Sequence, residues 1–252
     1  MASSDDEGET FHDHFDTVCA ICDNGGELAI CEGKCFRSFH ITPDSMSAHE
    51  SSCESLCLPP KEFLIWLRQK KLNCENCEYS LHQCFVCAEL GSSDKSSNTE
   101  VFQCSSATCG HFYHPKCVAK LLQKNDKTER QTLQEKIAAG EPFVCPAHKC
   151  VVCNQTENEK VADLQFAVCR RCPNSYHRKC LPRDIIFEHQ AGHHDEIRAW
   201  DGLLRKARAL IYCLEHEIDP EVATPARPII FRNILIRSTE QPYRKKLGVR
   251  VM

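Results

Sequence analysis

Three observations predict a small metal-stabilised α+β fold made of three tandem modules, with short two-stranded sheets, short helices and much irregular chain. Twenty of the 252 residues are cysteine and thirteen are histidine, the cysteines fall mostly in close pairs, and one order of Cys and His recurs three times. Only twelve Phe, five Tyr and two Trp are present, so cross-linking must supply much of what a large apolar core would otherwise provide.

The cross-links are expected to be metal. Met1 to Asp16 is polar and acidic, with no apolar stretch or small-residue cleavage pattern of a secretory leader. The compartment is therefore expected to be reducing, where paired cysteines are read as metal ligands and not as disulfides or redox pairs. No stretch approaches the ~20 apolar residues that span a bilayer, so no membrane partner is expected. The formal charge of -4 becomes more negative once coordinated thiols lose their protons. That sign favours a basic partner and disfavours direct nucleic-acid binding.

Each repeat opens with C-x2-C: Cys19/Cys22, Cys84/Cys87 and Cys150/Cys153. A second pair follows (Cys31/Cys35, Cys104/Cys109, Cys169/Cys172), then a His behind an aromatic residue (Phe39-His40, Tyr113-His114, Tyr176-His177). A further Cys comes next, Cys117 in the second repeat and Cys180 in the third, and each repeat closes on Cys74/Cys77, Cys145/His148 or Cys213/His216. Zinc takes four tetrahedral ligands, with sulfur at ~2.3 Å and nitrogen at ~2.0 Å, and a two-residue spacer lets both sulfurs of a pair reach one ion. Three repeats of eight ligands imply six structural zinc ions.

The predicted organisation is a disordered acidic tail over 1–16, modules over 17–80, 81–149 and 150–218, and a basic tail over 219–252. Six residues separate Cys77 from Cys84, and Lys149 alone separates His148 from Cys150, so the last two modules are expected to form a rigid pair. Asp126 with Glu129, the pair Leu133 and Ile137, and Gly140 predict a capped helix in module two. Shorter helices are expected after Pro59-Pro60, over Phe63, Leu64, Trp66 and Leu67, and from Trp200 to Ala209. Strands are expected over 27–30, 101–103 and 164–168. The histidines outside the repeat, His12, His14, His49, His82, His111, His189, His193 and His194, are read as surface residues.

Four Cys, one His, one Cys and a closing pair is the ligand order of PHD fingers, and the chain resembles that family. The stretches VCAICDNGGELAICEG, QCFVCAELGSSD, FQCSSATCGHFYHPKC and LQFAVCRRCPNSYHRKCLPR, within residues 17–220, also resemble the PHD and Cys/His-rich modules of NSD-type histone methyltransferases, with the third module of the C-terminal Cys/His-rich type. The resemblance implies a cross-brace, in which ligand pairs one and three share a zinc and so do two and four. The implied sites are Cys19, Cys22, His40 and Cys53; Cys31, Cys35, Cys74 and Cys77; Cys84, Cys87, His114 and Cys117; Cys104, Cys109, Cys145 and His148; Cys150, Cys153, His177 and Cys180; and Cys169, Cys172, Cys213 and His216. In finger one Pro43 stands where the family has its sixth ligand. Cys53 and Cys57 are both available to replace it, Cys53 being nearer the usual spacing.

The family also implies a nuclear, chromatin-associated module of transcriptional regulation or silencing that engages histone H3 tails. In finger one Asp23, Gly26, Glu27, Leu28, Ala29, Ile30 and Glu32 are the expected peptide contacts, the backbone adding a strand and the acids receiving an amine and an unmethylated lysine. Ser38, Phe112 and Ser175 occupy the place two residues before the His where related fingers carry a cage Trp, so no methyl-lysine cage is expected. Closed four-ligand sites leave no open position for catalytic water, and no enzyme activity is expected. The alternative is a scaffold for other nuclear regulatory proteins that reads no histone. Arg170, Arg171, Arg178, Lys179 and Arg183 form a local basic patch.

Overall fold

The computed structural model describes residues 16–41, 53, 68, 72–107, 109–193, 195–220 and 223–225. The acidic tail to residue 15, the helix expected after Pro59-Pro60, Cys57, most of the basic tail, and His12, His14, His49 and His194 lie outside the described residues.

Finger one pairs β1 (Ala29–Ile30) antiparallel with β2 (Ser38–Phe39), Ala29 opposite Phe39. Gly26, at φ +119°, takes a backbone conformation that side chains disfavour and leads the chain into β1. The helical turn α1 (Glu75–Glu78) carries the closing pair Cys74 and Cys77.

Finger two pairs β3 (Leu81–Gln83) with β4 (Leu90–Ser92), and β5 (Phe102–Gln103) with β6 (Phe112–Tyr113). Two helices fill its long insertion. The first, α2 (Pro115–Leu122), was not anticipated; it starts directly after the ligand His114 with Pro115 in the first turn, where a missing N–H costs nothing. The second, α3 (Lys127–Ala138), begins where expected: the Asp126 carboxylate accepts from Thr128 N at 2.7 Å and Glu129 N at 2.9 Å. Gly140, at φ +93°, lies just past its end. Ile137 is buried with Val101, Phe112, Tyr113, Val118 and Phe143, and Leu133 packs against them. Tyr113 and Phe143 meet edge to face at 5.9 Å.

Finger three corrects two expectations. Its sheet has five strands, in the order β8 (Ser175–His177), β7 (Phe166–Cys169), β11 (Ala209–Ile211), β10 (Ile197–Trp200), β9 (Ile186–Phe187). Neighbours β8/β7 and β11/β10 are antiparallel, whereas β7/β11 and β10/β9 are parallel. The stretch between Cys180 and Cys213 supplies β9 to β11, while the equivalent stretch of finger two forms helices. Nor is there a helix from Trp200 to Ala209. Gly202, Lys206 and Ala207 adopt φ of +75°, +59° and +55°, conformations a right-handed helix excludes, and Trp200 pairs with Leu210 across a β-loop. Among the described residues no helix is long and apolar enough to cross a membrane.

All three fingers touch. Ser175 Oγ donates to Ala147 O at 2.7 Å between fingers three and two. Gln103 Nε2 donates to Lys34 O at 2.9 Å between two and one, where Gly110 lies so close that a Cβ would sit 2.3 Å from Cys35 O. The contact between fingers one and three is the richest. Val18, 0 % exposed, packs with Leu210 and Tyr212 beside Trp200, Leu203, Leu204 and Ile218. Above this apolar patch, Asp23 accepts from Arg170 Nε at 3.0 Å and Tyr212 OH at 2.9 Å and pairs with Arg171 Nη1 at 2.7 Å. Asp16 takes Arg170 Nη1 at 2.9 Å, and the Arg171 guanidinium lies 4.9 Å from the Tyr212 ring centre.

Asp23 is only 7 % exposed, and its loss would leave Arg171 short of a counter-charge and Arg170 with Asp16 alone. Asp23→Ala is expected to destabilise the finger-one to finger-three unit by ~3–5 kcal/mol, measured by urea unfolding of zinc-loaded protein. An unchanged midpoint would show that the ion cluster carries no interface stability.

Candidate metal centres

The cysteines and histidines singled out by spacing converge as the cross-brace requires. Five quartets have all four ligand atoms within 4.8 Å of one another: Cys19, Cys22, His40 and Cys53; Cys31, Cys35, Cys74 and Cys77; Cys84, Cys87, His114 and Cys117; Cys104, Cys109, Cys145 and His148; and Cys150, Cys153, His177 and Cys180. In a sixth group Cys172 Sγ lies 3.6 Å from Cys213 Sγ, with Cys169 against both. His216 Nε2, buried without a hydrogen-bond partner, is the candidate fourth donor. Cys53 Sγ, one of the two candidates for the sixth ligand of finger one, lies 3.9 Å from Cys19 Sγ.

The separations fit zinc. A tetrahedron with ~2.3 Å Zn–S bonds has S···S edges of about 3.8 Å and, with nitrogen at ~2.0 Å, S···N edges of about 3.5 Å. The structure gives 3.7 Å for Cys35 to Cys74 and 3.6 Å for Cys109 to Cys145. It gives 3.4 Å from Cys22 to His40 Nδ1, 3.4 Å from Cys87 to His114 Nδ1 and 3.5 Å from Cys104 to His148 Nε2. A disulfide would need ~2.05 Å, and these cysteines are free. Six structural zinc ions are the cofactors these donor sets fit.

The surrounding chain orients the ligands. His40 and His177 turn Nδ1 to their sulfurs, while Nε2 reaches Gly25 O at 2.9 Å and Thr156 O at 3.0 Å, which fixes the tautomer. Backbone N–H groups point at thiolates: Gly33 N and Cys74 N at Cys31, Cys145 N at Cys104, His177 N at Cys150. Such bonds offset part of the charge that three or four thiolates gather around one ion.

Two histidines read as surface residues belong to this surround. His82, 4 % exposed, lies 3.4 Å from Cys77 Sγ, and His111 Nδ1 lies 3.4 Å from Cys109 Sγ with its ring stacked on Phe85. Burial, with Arg37 nearby, pulls His111 down to about 4, which keeps it neutral. The Tyr113 hydroxyl is buried beside Cys145 without another partner, and burial raises its pKa well above the usual value. Their sequence signal is faint, because the thiols they meet are chosen by the folded loops and not by a spacing rule.

The expected peptide contacts are divided. Glu27, Gly26 and Glu32 are exposed, Leu28 and Ile30 half-buried, and Ala29 buried. The Asp23 carboxylate is committed to Arg170, Arg171 and Tyr212 instead of facing solvent. The same contacts take Arg170 and Arg171 out of the basic patch, and Arg178 is held by Asp201, leaving Lys179 and Arg183 exposed. Phe112 is 3 % exposed and stacks on His82 at 3.7 Å, so it packs in the core. Cys53→Ser is expected to lower the zinc content by one ion per chain in native mass spectrometry, while Cys57→Ser retains all six.

Comparison with known proteins agrees with this geometry. The family models for NSD-like histone-lysine N-methyltransferases match in three places: PHD zinc finger 1 over residues 13–57, the PHD zinc finger over 80–148, and the variant PHD zinc finger over 150–217. The chain is 53% identical over 229 residues to Protein ENHANCED DOWNY MILDEW 2 of Arabidopsis thaliana, covering 90% of this chain and 17% of that protein. It is 32% identical over 164 residues to mouse histone-lysine N-methyltransferase NSD3, covering 64% of this chain and 9% of that one. Against the mouse H3 lysine-36 specific histone-lysine N-methyltransferase it is 31% identical, covering 64% and 5%. The chain thus spans less than a fifth of each relative. By ligand order, folded geometry and these matches, the chain is an array of three PHD-type zinc fingers, each similar to an NSD-like PHD finger.

Proposed function

We propose that this array is a nuclear, non-catalytic chromatin reader that binds a histone H3 tail at finger one and contributes to transcriptional regulation or silencing. One observation carries the reading. Among the described residues β1 pairs with β2 alone, and on its far side Leu72 bridges the chain past the strand's end, at Cys31, with Glu32 N donating to Leu72 O at 2.8 Å. The edge up to Ala29 is left for an added strand, and Glu27 and Glu32 stand exposed on either side of β1. An extended basic peptide fits both features, its backbone pairing with β1 and its cations meeting the acids. Asp23 supports this site from below through its bonds to finger three. The names of the methyltransferase relatives favour a histone ligand, and the four-donor Cys/His quartets favour structural metal.

With Ser38 at the place where related fingers carry a cage Trp, the site is expected to favour unmodified lysine. Titration calorimetry of zinc-loaded protein with an H3 N-terminal peptide tests this. Unmodified peptide is expected to bind more tightly than peptide trimethylated at the lysine four residues in. Glu27→Lys with Glu32→Lys is expected to weaken binding at least about tenfold, ~1.4 kcal/mol. Tighter binding of the trimethylated form, or indifference to charge reversal, would overturn the site.

The scaffold reading has its own support in Val86, Val144, Val151 and Val152, which expose 39% to 63% of their surface beside zinc ligands of fingers two and three. No H3 binding, with retention of nuclear protein partners lost on Val151→Asp/Val152→Asp substitution, would favour it.

A further inference from the structure

We propose that His82, which belongs to finger two, donates a hydrogen bond to a zinc thiolate of finger one, so that zinc retention by Cys31, Cys35, Cys74 and Cys77 depends on the fold of the neighbouring finger. His82 sits in β3 opposite Gly91 of β4. Its Nε2 lies 3.4 Å from Cys77 Sγ, and its Nδ1 lies 2.7 Å from Ser93 Oγ. The ring stacks on Phe112 at 3.7 Å and 11°. Two finger-two side chains, Ser93 and Phe112, thus hold the imidazole, and its Nε2 edge meets a finger-one ligand.

The direction of the bond follows from chemistry. A zinc-bound thiolate carries no proton, so Nε2 must supply it. That holds for either charge state of the ring: Nδ1 accepts from the Ser93 hydroxyl in neutral imidazole, or donates to it in imidazolium. Ser93 suits both roles. Its N–H already serves Ser80 O at 2.8 Å, and its hydroxyl lies 3.1 Å from the same oxygen.

This centre has particular need of a donor. Four thiolates outweigh the charge of one Zn2+, and the recorded backbone donors, Gly33 N at 3.4 Å and Cys74 N at 3.3 Å, both serve Cys31. Among the described residues His82 is the side chain that brings a donor to Cys77. Gly33 presses on the same ligand from the other finger, since a Cβ there would lie 2.5 Å from Cys77 Sγ. Cys77 is therefore fixed from both fingers, and outer-shell partners of this kind typically change metal affinity ~10–100-fold when removed.

The test compares His82→Phe, which keeps the stack on Phe112 and removes the donor, with His82→Gln, whose amide Nε2 restores it. Zinc release to a competing metallochromic chelator is followed per chain, and the centre is identified by 113Cd NMR of the cadmium-substituted protein. The expected result for His82→Phe is one ion of six leaving about tenfold faster, with the all-sulfur 113Cd resonance of finger one displaced, while His82→Gln behaves as wild type. Unchanged release with an unmoved resonance would overturn the proposal. Equal loss in both variants would do so too, because restoring a donor would then make no difference. If His82→Phe does not fold, the wild-type protein decides: a scalar coupling between 113Cd and the His82 Nε2 proton supports the bond, and its absence refutes it.

Discussion

Coordination of zinc by thiolates is the constraint on which the rest of this molecule depends. Most strands are two or three residues long, and the cores are small clusters in which the metal ligands are themselves members: Cys84, Cys104 and Cys145 sit among Val101, Phe112 and Ile137. Elements this short do not survive alone in water. A structural zinc contributes on the order of 10 kcal/mol to folding in small fingers, and here it ties chain segments far apart in sequence. Cys31 and Cys74, for example, close a loop that no apolar contact of this size would hold.

The second level of organisation joins the fingers. Asp23 lies in the turn that a single-finger reading assigns to ligand binding, yet its charge is spent on Arg170, Arg171 and Tyr212. The reason lies in the packing beneath. Val18 and Tyr212 bring fingers one and three together, and a carboxylate buried at such a seam is stable only if it is paired. The acid therefore orients the finger whose exposed edge carries Glu27 and Glu32. Finger two closes the arrangement through Gln103, Gly110 and His82, so that each finger rests on both others.

What the sequence revealed follows from how local each determinant is. The zinc quartets were legible because C-x2-C and the repeated His are spacing rules, and a tetrahedral ion leaves few ways to satisfy them. Helix α3 was legible because Asp126 and Gly140 mark its ends within the segment. The insertion of finger three was not: its stretch around Trp200 to Ala209 has apolar residues compatible with a helix, and only the tertiary pairing of β10 with β11 and the left-handed turn at Lys206 and Ala207 decide against one. Asp23, His82 and His111 escaped for the same reason. Nothing near Asp23 in sequence announces Arg170, and nothing near His82 announces that its ring nitrogen will meet Cys77.

The central claim is that six zinc ions hold this fold together. It is tested most directly by measuring bound zinc and near-ultraviolet circular dichroism in parallel while a strong chelator is titrated in. The account requires six ions per chain at the start and loss of tertiary signal as they are withdrawn, with recovery when zinc is restored. Retention of the native spectrum and thermal midpoint after complete removal of the metal would contradict it.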